Sequence, residues 1–247
     1  MSAPDAANES GERLLAFVVY PGLTLLDLVG PLQTLNGLGT PYRNITVGAQ
    51  VEAVPTDTGL AITPQATFAD VPRPYGVIVP GGGQRTIRAM AAPAVQGYLR
   101  SACATAEVVA SVCTGALVLA AAGQLEGRNA TTHWAFAKHL NRLGARYQRQ
   151  RWVEDGKYIT AAGVSAGIDM ALQLAARLAG EERSRRIQVG LEYDPQPPFG
   201  PLDWTLADVD AYWQRWGTAA EQRAMFTDWL DGRPDLIAKL AGAPSRG

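Results

Sequence analysis

Three times in the first half of this chain a short, mostly apolar run that reads as a buried strand stops at a tight turn and gives way to a helix-like segment. Leu14–Tyr20 (LLAFVVY) stops at Pro21-Gly22, Gly76–Val79 (GVIV) at Pro80-Gly81-Gly82-Gly83, and Ala106–Val112 at Cys113-Thr114-Gly115. A strand that is apolar at nearly every position has no solvated face, so both of its sides must be covered. Such runs alternating with helices over residues 14–193 predict an α/β sandwich with a mostly parallel sheet.

Between the runs, the pattern predicts helices over Thr24–Leu38, Thr86–Ala102, the stretch after Cys113 to about Ala122, Thr131–Leu143, Ser165–Ala179 and Glu181–Tyr193. Thr24 and Ser165 sit where N-caps belong, and Pro31 should kink or break the first helix. Further strands are expected at Ile45–Ala49, Glu52–Val54 and Leu60–Ile62, with a hairpin of Tyr147–Glu154 and Lys157–Ala161 around Asp155-Gly156. Pro195, Pro197, Pro198 and Pro201 mark the exit from the sandwich. The expected organisation is a flexible N-terminus (1–13), an α/β domain (14–200) and a helical extension (201–247) carrying Trp204, Trp213, Trp216 and Trp229.

With 247 residues, 47% of them hydrophobic, the chain can build one large core, and its net charge of −1 points away from nucleic acid and anionic membranes as partners. The extension, with seven acidic residues against five basic, has the wrong sign for a DNA-binding appendage. No signal peptide or membrane span is expected, two cysteines make no disulfide framework, and the expected location is the cytoplasm with reduced thiols.

Cys113 carries most of the chemistry. A cysteine at a strand-to-helix turn meets the free N–H groups and partial positive charge of a helix N-terminus, which favour the thiolate and leave amides to receive developing charge. Cys103 reads as a buried structural cysteine. Asp27 is an acidic residue among Leu25, Leu26, Leu28 and Val29, so it is either on a solvent face or buried with a partner or a shifted pKa. The Pro80-Gly81-Gly82-Gly83 loop lacks the features of a phosphate loop; close backbone approach, with an amide opposite Cys113, suits it better. His133 reads as a packing residue that could instead approach the nucleophile, and His139 as a helix-surface residue. Neither has metal-ligand partners at useful spacing, so no metal is expected.

The segments FVVYPGLTLLDLVGP (17–31), VIVPGGG (77–83), SVCTGALVLAAAGQLEGRNATTHW (111–134), DGKYITAAGVSAGIDMALQLAA (155–176) and RIQVGLEYDPQPPF (186–199) resemble the DJ-1/PfpI superfamily and, within it, the isocyanide (isonitrile) hydratases. The resemblance implies a flavodoxin-like three-layer sandwich, a homodimer, and a small-molecule substrate handled without a cofactor. It implies Cys113 as nucleophile, Asp27 as its acidic partner, Thr114 in the catalytic group, and Gly81, Gly82 and Val164 beside the substrate. Thr114 stands where the family's proteases carry His, which argues against peptidase activity. The implied reaction is attack of the Cys113 thiolate on the terminal carbon of R–N≡C, with a proton passed to nitrogen by Asp27 or by water it holds, followed by hydrolysis of a thioimidate to an N-substituted formamide. Glyoxalase-like or amidase-like chemistry, and a ligand or redox sensor, are the alternative expectations.

Overall fold

The first apolar run becomes strand β1 (Arg13–Val18), and the segment after Pro21-Gly22 becomes helix α1 (Leu25–Asn36). The chain returns through β2 (Tyr42–Gly48), a small hairpin of β3 (Val54–Pro55) and β4 (Ala61–Ile62), the edge strand β5 (Ala66–Thr67) and β6 (Gly76–Val79). Helices α2 (Thr86–Ala91) and α3 (Pro93–Thr105) lead to β7 (Val108–Val112), and only Cys113 and Thr114 separate β7 from α4 (Gly115–Ala121). Then come β8 (Asn129–Ala130), α5 (Ala137–Arg142), β9 (Arg146–Tyr147), β10 (Trp152–Asp155), β11 (Tyr158–Ala161), α6 (Ala166–Ala179) and α7 (Glu181–Gly190). The extension adds α8 (Val209–Gln214), α9 (Ala219–Trp229) and α10 (Pro234–Ala241). This computed structural model describes residues 11–241; residues 1–10 of the expected flexible N-terminus lie outside the described residues, and Arg13 already pairs in β1.

Seven strands form one sheet in the order β10-β11-β7-β6-β1-β2-β5. All pairings are parallel except β10 with β11, the hairpin read from Asp155-Gly156. Helices α1 and α6 pack on each other over one face, and α2, α3 and α4 cover the other. Every residue of β6 and β7 is therefore buried, Ser111 included, as strands covered on both faces require. β11, β7, β6 and β1 are adjacent and parallel, so the loops after them meet at one sheet edge. Asp27, Gly81, Cys113 and Val164 all sit just past those four strand ends, where open α/β sheets form their sites.

Three helices depart from the sequence expectation. α1 runs through Pro31 unbroken; the ring packs against α6, where a β-carbon on Gly167 would lie 3.1 Å from Pro31 Cγ. Thr24 is its N-cap by position only, and it is Asp57 Oδ1 that accepts the Leu25 N–H, at 3.0 Å. The helix expected over Thr86–Ala102 divides at Ala92, held extended (ψ 112°) by the following Pro93, which starts α3. Thr131–Leu143 is helical only from Trp134 onward, first as a 3₁₀ turn and then as α5. The Thr131 and Thr132 hydroxyls hold the preceding stretch extended by donating to Gln150 O (3.1 Å) and Cys113 O (2.9 Å).

The extension lies on the sandwich through a few anchors. Trp213 Nε1–H donates to Ala135 O at 3.0 Å, and Leu230, Leu236 and Leu240 join the core. Arg233 donates to Met90 O and Ala121 O, both at 3.2 Å, meeting carbonyls at the ends of α2 and α4 where a cation is favoured. Arg142 donates to Leu240 O at 2.7 Å. His139 is not a surface residue: its ring lies 5.0 Å from that of Trp213 and 5.9 Å from that of Phe226, and burial lowers its pKa to about 4.

Candidate active site at the β7–α4 elbow

Cys113 has φ +56°, a left-handed conformation that is costly for a non-glycine residue and characteristic of strained functional turns. Both sides of the turn hold it there. Its N–H donates to Ala161 O and Ala162 O (3.1 and 3.0 Å), and its carbonyl accepts the Thr132 hydroxyl. Gly115 lets α4 lie against β6, since a β-carbon there would fall 2.1 Å from Val79 O. Val164, at φ +20°, is a second strained non-glycine residue at the same edge.

The thiol is 3% exposed and Asp27 is completely buried beside it. The N–H groups of Val164 and Thr114 both hydrogen-bond the sulfur. Asp27 Oδ2 accepts the Gly81 N–H at 2.9 Å, while Oδ1 has no nitrogen or oxygen partner among the described residues and the carboxyl's other neighbour is the Cys113 thiol. Burial, opposed by the Gly81 N–H and the thiol, raises the Asp27 pKa to about 7. Burial, with the Asp27 charge second, pushes the Cys113 thiol well above its usual range, outweighing the two amides. The helix N-terminus therefore does not by itself produce the free thiolate expected from sequence. Cys113 and Asp27 instead form a coupled pair that gives up its first proton near neutrality. That order puts the first negative charge on Asp27, and a proton shift from the thiol to the carboxylate gives the thiolate that two N–H groups stabilise.

Gly81 is a glycine because this contact is tight: a β-carbon would lie 2.7 Å from each of Asp27 Oδ2, Thr114 N and Thr114 Oγ1. The N–H groups of the glycine loop are already engaged, Gly81 with Asp27 and Gly82 with Thr114 Oγ1 at 3.0 Å. Thr114 Oγ1 also lies 2.6 Å from Thr86 Oγ1, and Thr86 in turn bonds the Tyr20 phenol. Tyr20 gives its only hydrogen to Pro80 O at 2.7 Å, so it accepts from Thr86, Thr86 accepts from Thr114, and the Thr114 hydrogen points along this chain. Thr114 thus meets the sulfur through its N–H, while its buried hydroxyl braces the glycine loop.

The six residues that the resemblance implied for the site, Cys113, Asp27, Thr114, Gly81, Gly82 and Val164, lie at this edge. His133 borders it: its Nδ1 accepts the Ala135 N–H at 3.3 Å, its ring lies against Gly163, and burial lowers its pKa to about 4, leaving a neutral ring. Cys103 is buried elsewhere, with its pKa raised to about 12. Tyr20, Thr86 and Gly163 were not read from the sequence. Thr86 had no local signal, because its partner is 28 residues away and brought close only by the sheet order.

Comparison with known proteins follows the same lines. Residues 13–177 match the model of the DJ-1/PfpI family. The chain is 40% identical to the isonitrile hydratase of Pseudomonas putida over 190 residues, 75% of this chain and 80% of that one. It is 30% identical to the HTH-type transcriptional regulator GbdR of Pseudomonas aeruginosa over 189 residues, 73% of this chain but 50% of the regulator. Among solved structures, a ThiJ/PfpI family protein from Pseudomonas syringae is 33% identical with a TM-score of 0.78, covering 96% of this chain and 98% of that one. That coverage takes in part of the helical extension.

Proposed function

The chain belongs to the DJ-1/PfpI family, and from that premise we propose that it hydrates an isonitrile, R–N≡C, to the formamide R–NH–CHO, with Cys113 as nucleophile and Asp27 as proton carrier. The observation that carries the reading is the buried Cys113–Asp27 pair, whose first proton leaves near pH 7. The likeness to an isonitrile hydratase supplies the substrate class.

The formamide carries hydrogen on both carbon and nitrogen, and the isonitrile carbon holds a lone pair. The first proton therefore goes to the terminal carbon, not to nitrogen as the sequence reading had it. Asp27 gives its proton to that carbon as the Cys113 sulfur bonds to it, producing R–N=CH–S–Cys113 and leaving Asp27 as carboxylate. Water then adds: Asp27 takes a proton from it, oxygen bonds to carbon, and the proton passes on to nitrogen. Collapse of R–NH–CH(OH)–S–Cys113 breaks the C–S bond and returns the hydroxyl proton to Asp27. The sum is R–N≡C plus water to R–NH–CHO, with the pair restored. The N–H groups of Val164 and Thr114 stabilise the sulfur anion at the start and end of the cycle. Val164 and the backbone of Gly81 and Gly82 border the carbon being attacked.

The protein acts on this reading as a cytoplasmic homodimer without nucleic acid or membrane partners. A free Cys113 suits a reducing compartment, and among the described residues no helix is long and apolar enough to cross a membrane. Exposed Leu26 and Val29 on α1, with Phe199, Leu202 and Leu206 beyond α7, offer apolar surface for a second copy. Light scattering after gel filtration reads the assembly.

The deciding experiment is formamide production from phenyl isonitrile by the purified protein beside Cys113→Ala, with intact-mass detection of a substrate-sized adduct. Turnover lost in the variant and an adduct on Cys113 support the reading. Turnover kept in Cys113→Ala, or absent from the wild type, sinks it; dicarbonyl and amide substrates then test the other thiolate chemistries.

A further inference from the structure

The Cys113 sulfur is nearly covered, so whatever borders it decides what reaches it. One border is the stretch Thr132–Trp134. Thr132 donates to the nucleophile's own carbonyl at 2.9 Å, and the His133 ring lies so close to Gly163 that a β-carbon there would meet His133 Cδ2 at 2.8 Å. Gly163 directly precedes Val164, whose N–H holds the sulfur. The His133 ring therefore lies one residue from the thiol's amide donor.

Over this border lies a ring from the extension. The Tyr212 centroid is 5.4 Å from His133 and 5.5 Å from Trp134, with fully buried Phe136 behind at 6.0 Å. Its neighbour Trp213 fixes it by the bond to Ala135 O, and Arg215 stacks on it at 4.6 Å. His133, Trp134 and Tyr212 are half-buried, and among the described residues no hydrogen bond occupies the Tyr212 hydroxyl. Burial raises the Tyr212 pKa and the Cys113 charge adds to it, which places phenol and sulfur within electrostatic reach.

We propose that Tyr212, supplied by the C-terminal extension, contacts the substrate of the Cys113 site, and that Tyr212, His133 and Trp134 form the wall that receives a flat, apolar substituent. The wall is uncharged at neutral pH, because His133 titrates near 4. Flat rings prefer offset or edge contacts with other rings, worth about 0.5–1.5 kcal/mol beyond buried area, or roughly a 2- to 10-fold preference. The identity of the electrophile rests on the hydratase reading; the wall does not.

The test separates the two. In a Cys103→Ser background, the labelling rate of Cys113 by N-phenylmaleimide is divided by that by N-ethylmaleimide, read by intact mass. This is done for the parent, Tyr212→Ala, Tyr212→Leu, Tyr212→Phe and the exposed extension control Trp216→Ala. The same variants are assayed for kcat/KM on phenyl and methyl isonitrile. The expected result is a phenyl preference that falls about 2- to 10-fold in Tyr212→Ala and Tyr212→Leu and is kept in Tyr212→Phe and Trp216→Ala. Tyr212→Leu keeps an apolar side chain in place, so loosening of α8 is told apart from loss of the ring. An unchanged ratio in both Ala and Leu variants, or an equal fall in Trp216→Ala, overturns the proposal. A labelling preference that falls while no isonitrile is turned over keeps the wall and removes the hydratase reading.

Discussion

The sandwich and the extension are both largely helical at their surfaces, yet they are held in opposite ways. In the sandwich, β1, β6, β7 and β11 are buried from both faces and their loops converge, so the position of every atom near Cys113 depends on close contacts from four strands. In the extension, α9 has no buried residue of its own, and the segment hangs on Trp213, Leu230, Leu236, Leu240 and two arginines donating to helix-end carbonyls. A close-packed region can hold strain, as at Cys113 and Val164, because many contacts over-determine the backbone. A region tied at points can instead present side chains, as the extension does with Tyr212.

Adding one methyl group in each region separates these modes most sharply. Gly115→Ala puts a β-carbon 2.1 Å from Val79 O and 2.9 Å from Pro80 O, so α4 must leave β6 and the elbow opens; we expect a loss of about 5 kcal/mol or no folded protein. Gly232→Ala, at φ +79° with nothing within 4 Å, carries only the backbone cost of about 1 kcal/mol. Equal losses in chemical denaturation would erase the contrast.

The second effect belongs to the sandwich alone. The folded pKa of Asp27 is about 7 against 3.8 unexposed to such burial, so between those values the folded state binds the proton more tightly than the unfolded one. Stability from this group is complete below about pH 4 and declines as pH rises through 7. Asp27→Asn keeps an oxygen for the Gly81 N–H and removes the titration. It should match the wild type near pH 4 and exceed it by roughly 2–4 kcal/mol at pH 8, while losing about 100-fold in kcat and the acid limb near pH 7. Melting temperatures across pH 4–8 that run parallel for the two proteins would show that Asp27 is not held protonated by burial.

What the sequence disclosed follows the same division. The parallel sheet was legible because strands buried on both faces must be apolar almost throughout, and the meeting of Asp27, Gly81, Cys113 and Val164 was legible from the segments they share with a known family. The protonation of the pair was not, because it depends on how completely the sheet edge dries the site, and Cys113 alone suggested a ready thiolate. Pro31 misled because its ring finds a place against Gly167 across α1 and α6, a contact between helices that no local rule contains. The sequence marked a helical extension rich in tryptophan, but the partner of Trp213 is the carbonyl of Ala135, 78 residues away, and Tyr212 had no local signal at all.

Removing an anchor tests the extension next. Trp213→Ala leaves Ala135 O without its donor and opens a hole beside Phe136 and His139, a cost of about 3 kcal/mol. Because the extension is tied at points, the loss should appear as local release: faster proteolysis between Pro201 and Gly217, and faster labelling of Cys113, with the main unfolding transition little moved. A single transition shifted by the full amount would mean that the extension and sandwich unfold as one unit.

The smallest effect sharpens the comparison from the other side, because it alters order within the extension without touching an anchor. Thr218 caps α9 through a reciprocal arrangement: Glu221 N–H donates to Thr218 Oγ1 at 3.3 Å, and Thr218 N–H donates to Glu221 Oε2 at 2.6 Å. Removing such a cap costs about 1 kcal/mol of helix stability. In Thr218→Ala that loss falls on the first turn of α9, five residues from Trp213 but not in its contacts with Ala135 and Phe136. If Tyr212 is positioned by the Trp213 anchor, amides at the start of α9 should exchange several-fold faster while the phenylmaleimide-to-ethylmaleimide ratio at Cys113 stays unchanged. If the ratio falls together with the exchange protection, the ring depends on the order of the whole extension, and a segment tied at points would have to be redescribed as a cooperative cap on the site.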